Sequence, residues 1–127
     1  MNTATQKAQA LQKFKSEEKF AEAVWTSRGL NPSSPQLCEE LESAFNLVAD
    51  QLYVAVEAGF AGKLLKGILT NSLQKFDASD YDTEERELIC EYFYALAGMV
   101  DVNISQQLNK WLSDDAVTNF MKHYEEQ

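Results

Sequence analysis

The chain has few of the residues that carry most enzymatic and metal chemistry. Among its 127 residues there is one histidine, His123, and there are two cysteines, Cys38 and Cys90. A histidine-based triad and a tetrahedral zinc site both need more such groups at close spacing, and the Glu-x-x-His pairs of di-iron helical bundles do not occur. The sequence therefore predicts no catalytic residue, no metal site and no cofactor. We expect the protein not to be an enzyme, although carboxylate-only catalysis stays open because a sequence does not show which acids converge.

Helix breakers and long apolar runs are also scarce. The chain contains 5 glycines and 2 prolines, which favours long helices over a sandwich or barrel with a turn every few residues. No uncharged apolar run approaches the ~20 residues of a membrane span. The segment Met1 to Lys15 lacks the apolar core of a signal peptide. We expect no membrane partner, a cytoplasmic location, and buried free thiols at Cys38 and Cys90.

Positive charge is the third shortage. Lysine and arginine number 11 against 20 acids, which gives a formal net charge of −9. Such a field repels phosphate backbones, so no nucleic-acid partner is expected. Residues 1–15 are the exception, since they carry Lys7, Lys13 and Lys15 and no acid. This segment is interpreted as an N-terminal helix whose lysines rest against the acidic body, with a partly detached basic arm as the alternative.

What the sequence does contain is helical periodicity, and it predicts one all-α domain over 1–127. We expect an irregular bundle of five to seven helices, two of them long. The first long helix follows the loop Asn31-Pro32-Ser33-Ser34-Pro35, with Ser34 as its N-cap and Pro35 as its first residue. Its expected core stripe is Leu37, Leu41, Phe45, Val48, Leu52 and Val56. Core packing is likewise expected for Phe20, Phe45, Phe76, Phe93 and Phe120.

The second long helix is predicted over about Thr83 to Met99. The segment Asp80-Tyr81-Asp82-Thr83-Glu84-Glu85-Arg86-Glu87 supplies a capping residue and first-turn acids ahead of its apolar series. A calcium loop starting at Asp80 is the alternative, but Glu85 occupies the position where the sharp turn needs glycine. We therefore interpret the segment as a folding signal, not as a metal site.

Shorter helices are predicted around these two. One covers about Thr3 to Phe14, and a second begins at Ser16 and ends at Gly29. Gly59 and Gly62 indicate a turn before a further helix, whose expected apolar positions are Leu64, Leu65, Ile68, Leu69, Leu73 and Phe76. Asn103 can cap a short helix that carries Trp111. Ser113 or Asp114 can cap the last one, whose expected stripe is Val117, Phe120, Met121 and Tyr124, and His123 is interpreted as an exposed or half-buried residue of this helix.

Three segments resemble a small uncharacterised bacterial family, a domain of unknown function about as long as this chain. They are Arg28-Gly29-Leu30-Asn31-Pro32-Ser33, Asp82-Thr83-Glu84-Glu85-Arg86-Glu87 and Leu108-Asn109-Lys110-Trp111-Leu112. The resemblance covers most of the chain. It implies a free-standing bacterial helical domain, and it transfers no activity and no site residues.

The leading functional prediction is a protein-interaction domain with an acidic helical face. No lysine or arginine lies between Pro35 and Gly62 to offset Glu39, Glu40 and Glu42, and a second acidic group includes Asp80 and Asp82. Such a face would dock onto a basic or mixed protein partner, and an immunity-type inhibitor of a bacterial toxin is the most concrete version. Trp25 with Arg28, and Trp111, have the composition of binding hot spots, although core or boundary packing is favoured for both tryptophans.

Two other functions stay open. One is a small-molecule-binding protein or minor enzyme with a pocket between helices, lined by Trp25, Tyr53, Tyr92 or Trp111. The other is a homodimer with a structural role, which needs only one exposed apolar stripe. The sequence alone does not decide between them.

Overall fold

The computed structural model describes residues 2–112, and helices make up its regular structure. The elements, in chain order, are α1 (Ala4–Ser16), α2 (Glu22–Thr26), α3 (Pro35–Glu57), α4 (Gly62–Gln74), a 3-10 turn (Ala78–Asp80), α5 (Thr83–Met99) and a helical segment at 105–112, where the described part ends. No strand occurs within residues 2–112. The all-α class and the two long helices, α3 and α5, are confirmed. The predicted last helix, with Phe120 and His123, lies outside the described residues.

Helix α3 is the centre of the bundle because its apolar stripe meets α1 on one side and α4 on the other. Ser34 caps it as predicted, since its hydroxyl oxygen accepts from the Leu37 amide at 3.2 Å. Phe45 lies at the middle of an aromatic core. Its ring centroid is 5.0 Å from that of Phe93, 5.4 Å from that of Phe76 and 5.6 Å from that of Phe20. The four phenylalanines predicted for the core within the described residues are buried there.

Helix α1 is part of this core, so the alternative of a partly detached N-terminal helix is wrong. Ala8, Leu11 and Phe14 are buried against the rest of the bundle. Lys15 forms an ion pair with Asp50 of α3, as expected for lysines that rest against an acidic body. A capping box between Thr3 and Gln6, the third residue of the helix, closes the N-terminus of α1.

The second predicted helix is shorter than expected. Ser16 does not cap it, because Ser16 is the last residue of α1 and its hydroxyl donates to the Lys13 carbonyl at 2.8 Å. Residues 17–21 are non-helical, and α2 has only five residues. The chain leaves the helix here because a carboxylate of α3, described below, accepts hydrogen bonds from the backbone of this segment.

The turns between the remaining helices follow local signals. Gly59 has a φ of 81° and ends α3, with its amide donating to Val56 O and the Phe60 amide donating to Ala55 O, both at 3.0 Å. Asp82 caps α5 in a reciprocal capping box with Glu85, and both hydrogen bonds measure 2.8 Å. One expectation for α4 fails, since Leu64 is 55% exposed and does not join the core. None of the helices over residues 2–112 combines the length and apolarity needed to cross a membrane.

Candidate functional site

Helix α3 separates the acids that the sequence grouped together. Residues 40, 44, 47 and 51 follow a helical repeat on one side of α3, whereas residues 39, 42 and 46 face the other way. Glu39 and Glu42 line a shallow groove with the segment after α1. Glu40 lies on the side of Tyr81 and influences its ionisation. The predicted trio Glu39, Glu40 and Glu42 is therefore not one surface.

A different set of acids converges instead, around Tyr81. Partial burial raises the pKa of the Tyr81 phenol, and the negative charges of nearby carboxylates raise this pKa further. These carboxylates belong to Asp80, Glu40, Glu85 and Asp77, in order of decreasing effect. The start of α3 and the segment before α5 thus contribute to one negative surface. We call Glu40, Asp77, Asp80 and Glu85 around Tyr81 the acidic face.

The members of the acidic face differ in how freely they can meet a partner. Glu40 and Asp80 are exposed. Glu85 is half-buried, accepts from the Asp82 amide, and accepts from the Ser33 hydroxyl at 2.5 Å. The Asp77 carboxylate accepts from the amide and hydroxyl of Ser79 at 3.0 and 2.7 Å. No cluster of acids, cysteines or histidines within residues 2–112 has the arrangement needed to hold a metal ion.

Asp82 and its neighbours serve the fold. The Asp82 carboxylate is occupied by the capping box of α5. Glu84 accepts from the backbone amide and side-chain amide of Asn31, at 2.5 and 3.1 Å. Glu91 pairs with Arg28. The carboxylates of the calcium-loop alternative therefore turn to different partners, which agrees with the capping interpretation.

Glu42 forms an ion pair inside the molecule. Its Oε1 accepts from the amides of Lys19 and Phe20 at 2.8 and 3.2 Å, and its Oε2 lies 2.6 Å from Lys19 Nζ. The Lys19 side chain is buried, and its ammonium also donates to the carbonyls of Phe14 and Glu17 at 2.9 and 2.8 Å. Glu42 thereby holds the non-helical segment between α1 and α2 against α3. No local pattern predicts this pair, because its members are 23 residues apart.

Trp25 and Trp111 both use their indole nitrogens inside the molecule. Trp25 is completely buried, and its Nε1 donates to the Phe20 carbonyl at 3.1 Å. Trp111 is half-buried, and its Nε1 donates to the Phe76 carbonyl at 2.8 Å. Core or boundary packing was the favoured interpretation for both tryptophans, and both are packed in the bundle.

Arg28 is exposed and forms a two-point contact with Glu91 of α5. Its Nε lies 2.8 Å from Glu91 Oε2, and its Nη2 lies 2.7 Å from Glu91 Oε1. The hydrogen bonds to Glu91 raise the pKa of the Arg28 guanidinium. The pairing ties the end of α2 to α5 and leaves this cation partly committed.

A pocket of about 540 Å³ lies between α1, α2 and α5, and Tyr92 is one of its lining residues. Other lining residues are Lys13, Phe14, Val24, Arg28, Glu91 and Met99. The Tyr92 hydroxyl donates to the Lys19 carbonyl at 2.6 Å, and burial raises its pKa to about 12. Burial also raises the pKa of the thiol of Cys90, two residues before Tyr92, to about 11. Both groups are therefore protonated at neutral pH, which does not suit a base or a nucleophile.

A second concave surface, of about 180 Å³, lies between α3 and the end of α4. Ala44, Leu47 and Gln51 line its α3 side, and Phe76 and Tyr81 close one end. Leu47 is 58% exposed. We call this surface the α3–α4 groove. Because Tyr81 lines the groove and also lies at the centre of the acidic face, the two surfaces adjoin.

The fold and these surfaces define a small all-α protein with an acidic face and no recognisable catalytic constellation among residues 2–112. The chain belongs to the family described as "Domain of unknown function (DUF4844)", whose model matches residues 2–116. The predicted resemblance to a family of unknown function is thereby confirmed.

A solved structure supports the fold. The crystal structure of a DUF3571 family protein from Acinetobacter baumannii AYE is similar over 95% of this chain and 99% of that chain, with a TM-score of 0.84. The two sequences are 22% identical, so the likeness concerns the fold alone. No curated protein matches the chain.

Proposed function

We propose that this protein is a non-enzymatic protein-interaction domain that docks its acidic face onto a basic or mixed protein partner. The observation that supports the proposal is that Glu40 and Asp80, from two different elements, are both exposed and both act on the ionisation of Tyr81. Carboxylates of like charge disfavour one another at short range, and a partner's lysines or arginines would relieve that repulsion. A tyrosine among them adds apolar area and a hydroxyl, which is a composition typical of interaction sites.

The charge balance of the chain favours this function over nucleic-acid binding. A net charge of −9 repels phosphate and attracts cationic surfaces, and such steering speeds association. Glu40 and Asp80 are exposed members of the acidic face and are acids that a cationic partner would meet. Lys75 lines the adjoining groove, and Arg86 donates from its Nε to the Ala78 carbonyl at 2.8 Å, so cations at this end of the molecule offset part of the field.

The most specific form of the proposal is an immunity-type inhibitor that acts in the bacterial cytoplasm on a cationic, nuclease-like toxin. An acidic protein can block such an enzyme by covering the basic surface that would bind nucleic acid. The purified chain should then inhibit the nuclease at one-to-one stoichiometry. A partner that binds with its activity unchanged would contradict this form and leave the interaction function intact.

Charge reversal at two positions tests the acidic face. The test variant is Glu40→Lys with Asp80→Lys, and the matched control is Glu39→Lys with Glu22→Lys, all four at exposed residues. Each pair changes four units of charge, from −9 to −5, so long-range charge is equal in the two variants. A partner purified on the wild-type chain at low salt is then used to measure association rates by stopped-flow fluorescence.

We expect the Glu40/Asp80 variant to associate about tenfold more slowly, and the Glu39/Glu22 variant to stay within about twofold of the wild type. Circular dichroism of each variant checks that the helices are retained. Equal slowing in both variants would assign the effect to net charge, and an unchanged rate in the test variant would rule out the acidic face.

The pocket between α1, α2 and α5 supports a second candidate function, the binding of a small molecule. Its volume of about 540 Å³ falls in the range of ligand sites. Its hydroxyl and guanidinium groups are already bonded within the protein, which makes it the weaker candidate. A metabolite screen by thermal shift tests it. Ala95 also lines the pocket, and Ala95→Phe is the variant that fills it. A ligand should raise the melting temperature of the wild type and not that of the variant.

A further inference from the structure

Helices α3 and α4 share an apolar surface that nothing in the described chain covers. On α3, Leu47, Gln51, Val54 and Ala58 are spaced by four, three and four residues and therefore lie on one side of the helix. Leu47 is 58% exposed and Val54 is 66% exposed. This stripe runs for about 16 Å, which is three helical turns.

Helix α4 contributes the other side of the same surface. Leu64, Ile68 and Lys75 have the corresponding helical spacing, and Leu64 is 55% exposed. Leu47, Gln51 and Lys75 line one groove, so the two stripes meet there, and the rest of each stripe continues from the groove toward the turn between the helices. Among residues 2–112 the exposed large hydrophobic side chains number six, and four lie on α3, α4 or the turn between them. They are Leu47, Val54, Phe60 and Leu64.

The clustering matters because single exposed apolar residues are common, whereas a continuous patch is typical of an interaction site. One end of this patch adjoins the acidic face, since Tyr81 belongs to both. The surface is therefore two-part: an apolar cleft between two helices, and a negative end formed by Glu40 and Asp80.

We infer that the α3–α4 groove receives an amphipathic helix of a partner protein, whose apolar side fills the cleft and whose basic end meets Glu40 and Asp80. The inference rests on the proposed function and specifies its partner. A helix fits because its ridges of side chains can pack between α3 and α4. Its apolar anchors at positions i, i+3 or i+4 and i+7 would match a stripe of three turns. The lysines or arginines belong at one terminus of that helix, next to Tyr81.

Charge disfavours a second copy as the occupant, because each chain carries a net charge of −9 and brings another acidic face to the contact. The size of the deepest part, about 180 Å³, is below that of most small-molecule sites. A helix with one basic end satisfies both halves of the surface.

Site-specific photocrosslinking tests this inference. A photoreactive phenylalanine analogue is placed at position 54, on the exposed stripe of α3 one helical turn beyond the groove residue Gln51, at position 40 in the acidic face and, as a control, at position 94 on α5. Tyr94 is a matched control because it and Val54 are each 66% exposed. The full-length chain is irradiated in native cell lysate, and the crosslinked peptides are sequenced by mass spectrometry.

We expect position 54 to trap a segment with apolar residues at i, i+3 or i+4 and i+7 and with at least two lysines or arginines at one end. That segment, made as a synthetic peptide, should bind the wild type as measured by fluorescence anisotropy. Val54→Asp should weaken this binding about tenfold or more, whereas Tyr94→Asp should change it by less than about twofold.

The other outcomes separate the inference from the proposed function. Crosslinks at position 40 without any at position 54 would overturn the inference and leave the acidic face as a docking site. No crosslink at either position would overturn both. A segment trapped at position 54 that lacks the pattern, or that comes from a second copy of this chain, would contradict the amphipathic helix as the occupant.

Discussion

Lys19 is held in the interior by three kinds of contact. Its ammonium lies 2.6 Å from a Glu42 oxygen, donates to two backbone carbonyls, and is 4.7 Å from the centroid of the Phe14 ring. The lysine side chain is 3% exposed, whereas that of Glu42 is 28% exposed. The Oε2 atom of Glu42 is nevertheless buried, and its Oε1 atom accepts from two backbone amides, so both charges of the pair depend on protein partners.

The first prediction concerns this pair. Lys19→Met should lower the free energy of unfolding by about 3 kcal/mol, because it leaves Glu42 without its cation and removes the ammonium donor from the carbonyls of Phe14 and Glu17, of which Phe14 keeps the Glu17 amide as a donor. Glu42→Gln in the Lys19→Met background should recover part of the loss, since a neutral amide oxygen can still accept from the Lys19 and Phe20 amides. Urea denaturation followed by circular dichroism measures both effects.

The control for this prediction is Lys63→Met, an exposed lysine near the start of α4. It should change the free energy of unfolding by less than about 0.5 kcal/mol. A loss below about 1 kcal/mol for Lys19→Met would show that the buried pair contributes little to stability.

Whether a contact between two residues could be predicted depends on how far apart they are in the sequence. Ser34 and the Leu37 amide, or Asp82 and Glu85, lie three positions apart, so their pairing could be predicted from the sequence. Glu42 bonds to a backbone amide 23 residues earlier, and only the folded chain brings them together. For the same reason Glu42 was grouped with Glu39 and Glu40 as a docking acid, because nothing local distinguishes an acid that pairs internally.

At the scale of elements, the hairpin of α3 and α4 depends on how α3 ends. Gly59 has a positive φ and supplies the turn after α3, whereas Gly67 lies within α4. A Cβ atom at either position would have no neighbour within 4 Å. The two glycines therefore differ in backbone conformation and not in available space.

The second prediction uses this contrast. Gly59→Ala should destabilise the protein by about 1 kcal/mol, because an L-residue is disfavoured at positive φ. Gly67→Ala should stabilise it by about 0.5 to 1 kcal/mol, because alanine favours the helix and restricts the unfolded chain. Thermal denaturation of the two variants measures the difference. Shifts of the same sign would contradict the assignment of the left-handed turn to Gly59.

The elements themselves were largely predictable, because periodicity and caps are local. The exceptions arise from packing. The second helix was expected from Ser16. The Lys19 and Phe20 amides instead donate hydrogen bonds to Glu42, and these bonds hold that segment out of helical conformation. Leu64 fits the apolar pattern of α4, yet it lies on the groove side and not in the core. An apolar stripe wider than the core needs cannot be divided into core and interface from periodicity alone.

At the scale of the whole molecule, the net charge could be computed from the sequence, whereas the arrangement of the charges could not. The net charge of −9 follows from composition. The distribution of that charge follows from the fold, in which Glu39 borders one groove while Glu40 lies on the side of Tyr81 with Asp77 and Asp80. The candidate site was therefore predictable as acidic, and Glu40 and Asp80 were predicted among its residues, whereas their grouping with Asp77 and Glu85 around Tyr81 was not.

The third prediction follows from this excess of negative charge. The 20 acids outnumber the 11 basic residues, and surface pairs such as Lys15–Asp50 and Arg28–Glu91 contribute at most about 1 kcal/mol each. Repulsion should therefore outweigh attraction at low ionic strength. Raising NaCl from about 10 to about 200 mM shortens the screening length to below about 10 Å, so it should raise the melting temperature of the free protein. The same salt should slow association with a cationic partner, because it screens the attraction that steers the encounter. A melting temperature that falls with salt would indicate that attractive pairs dominate the folded state, and the repulsion assigned to the acidic face would then be wrong.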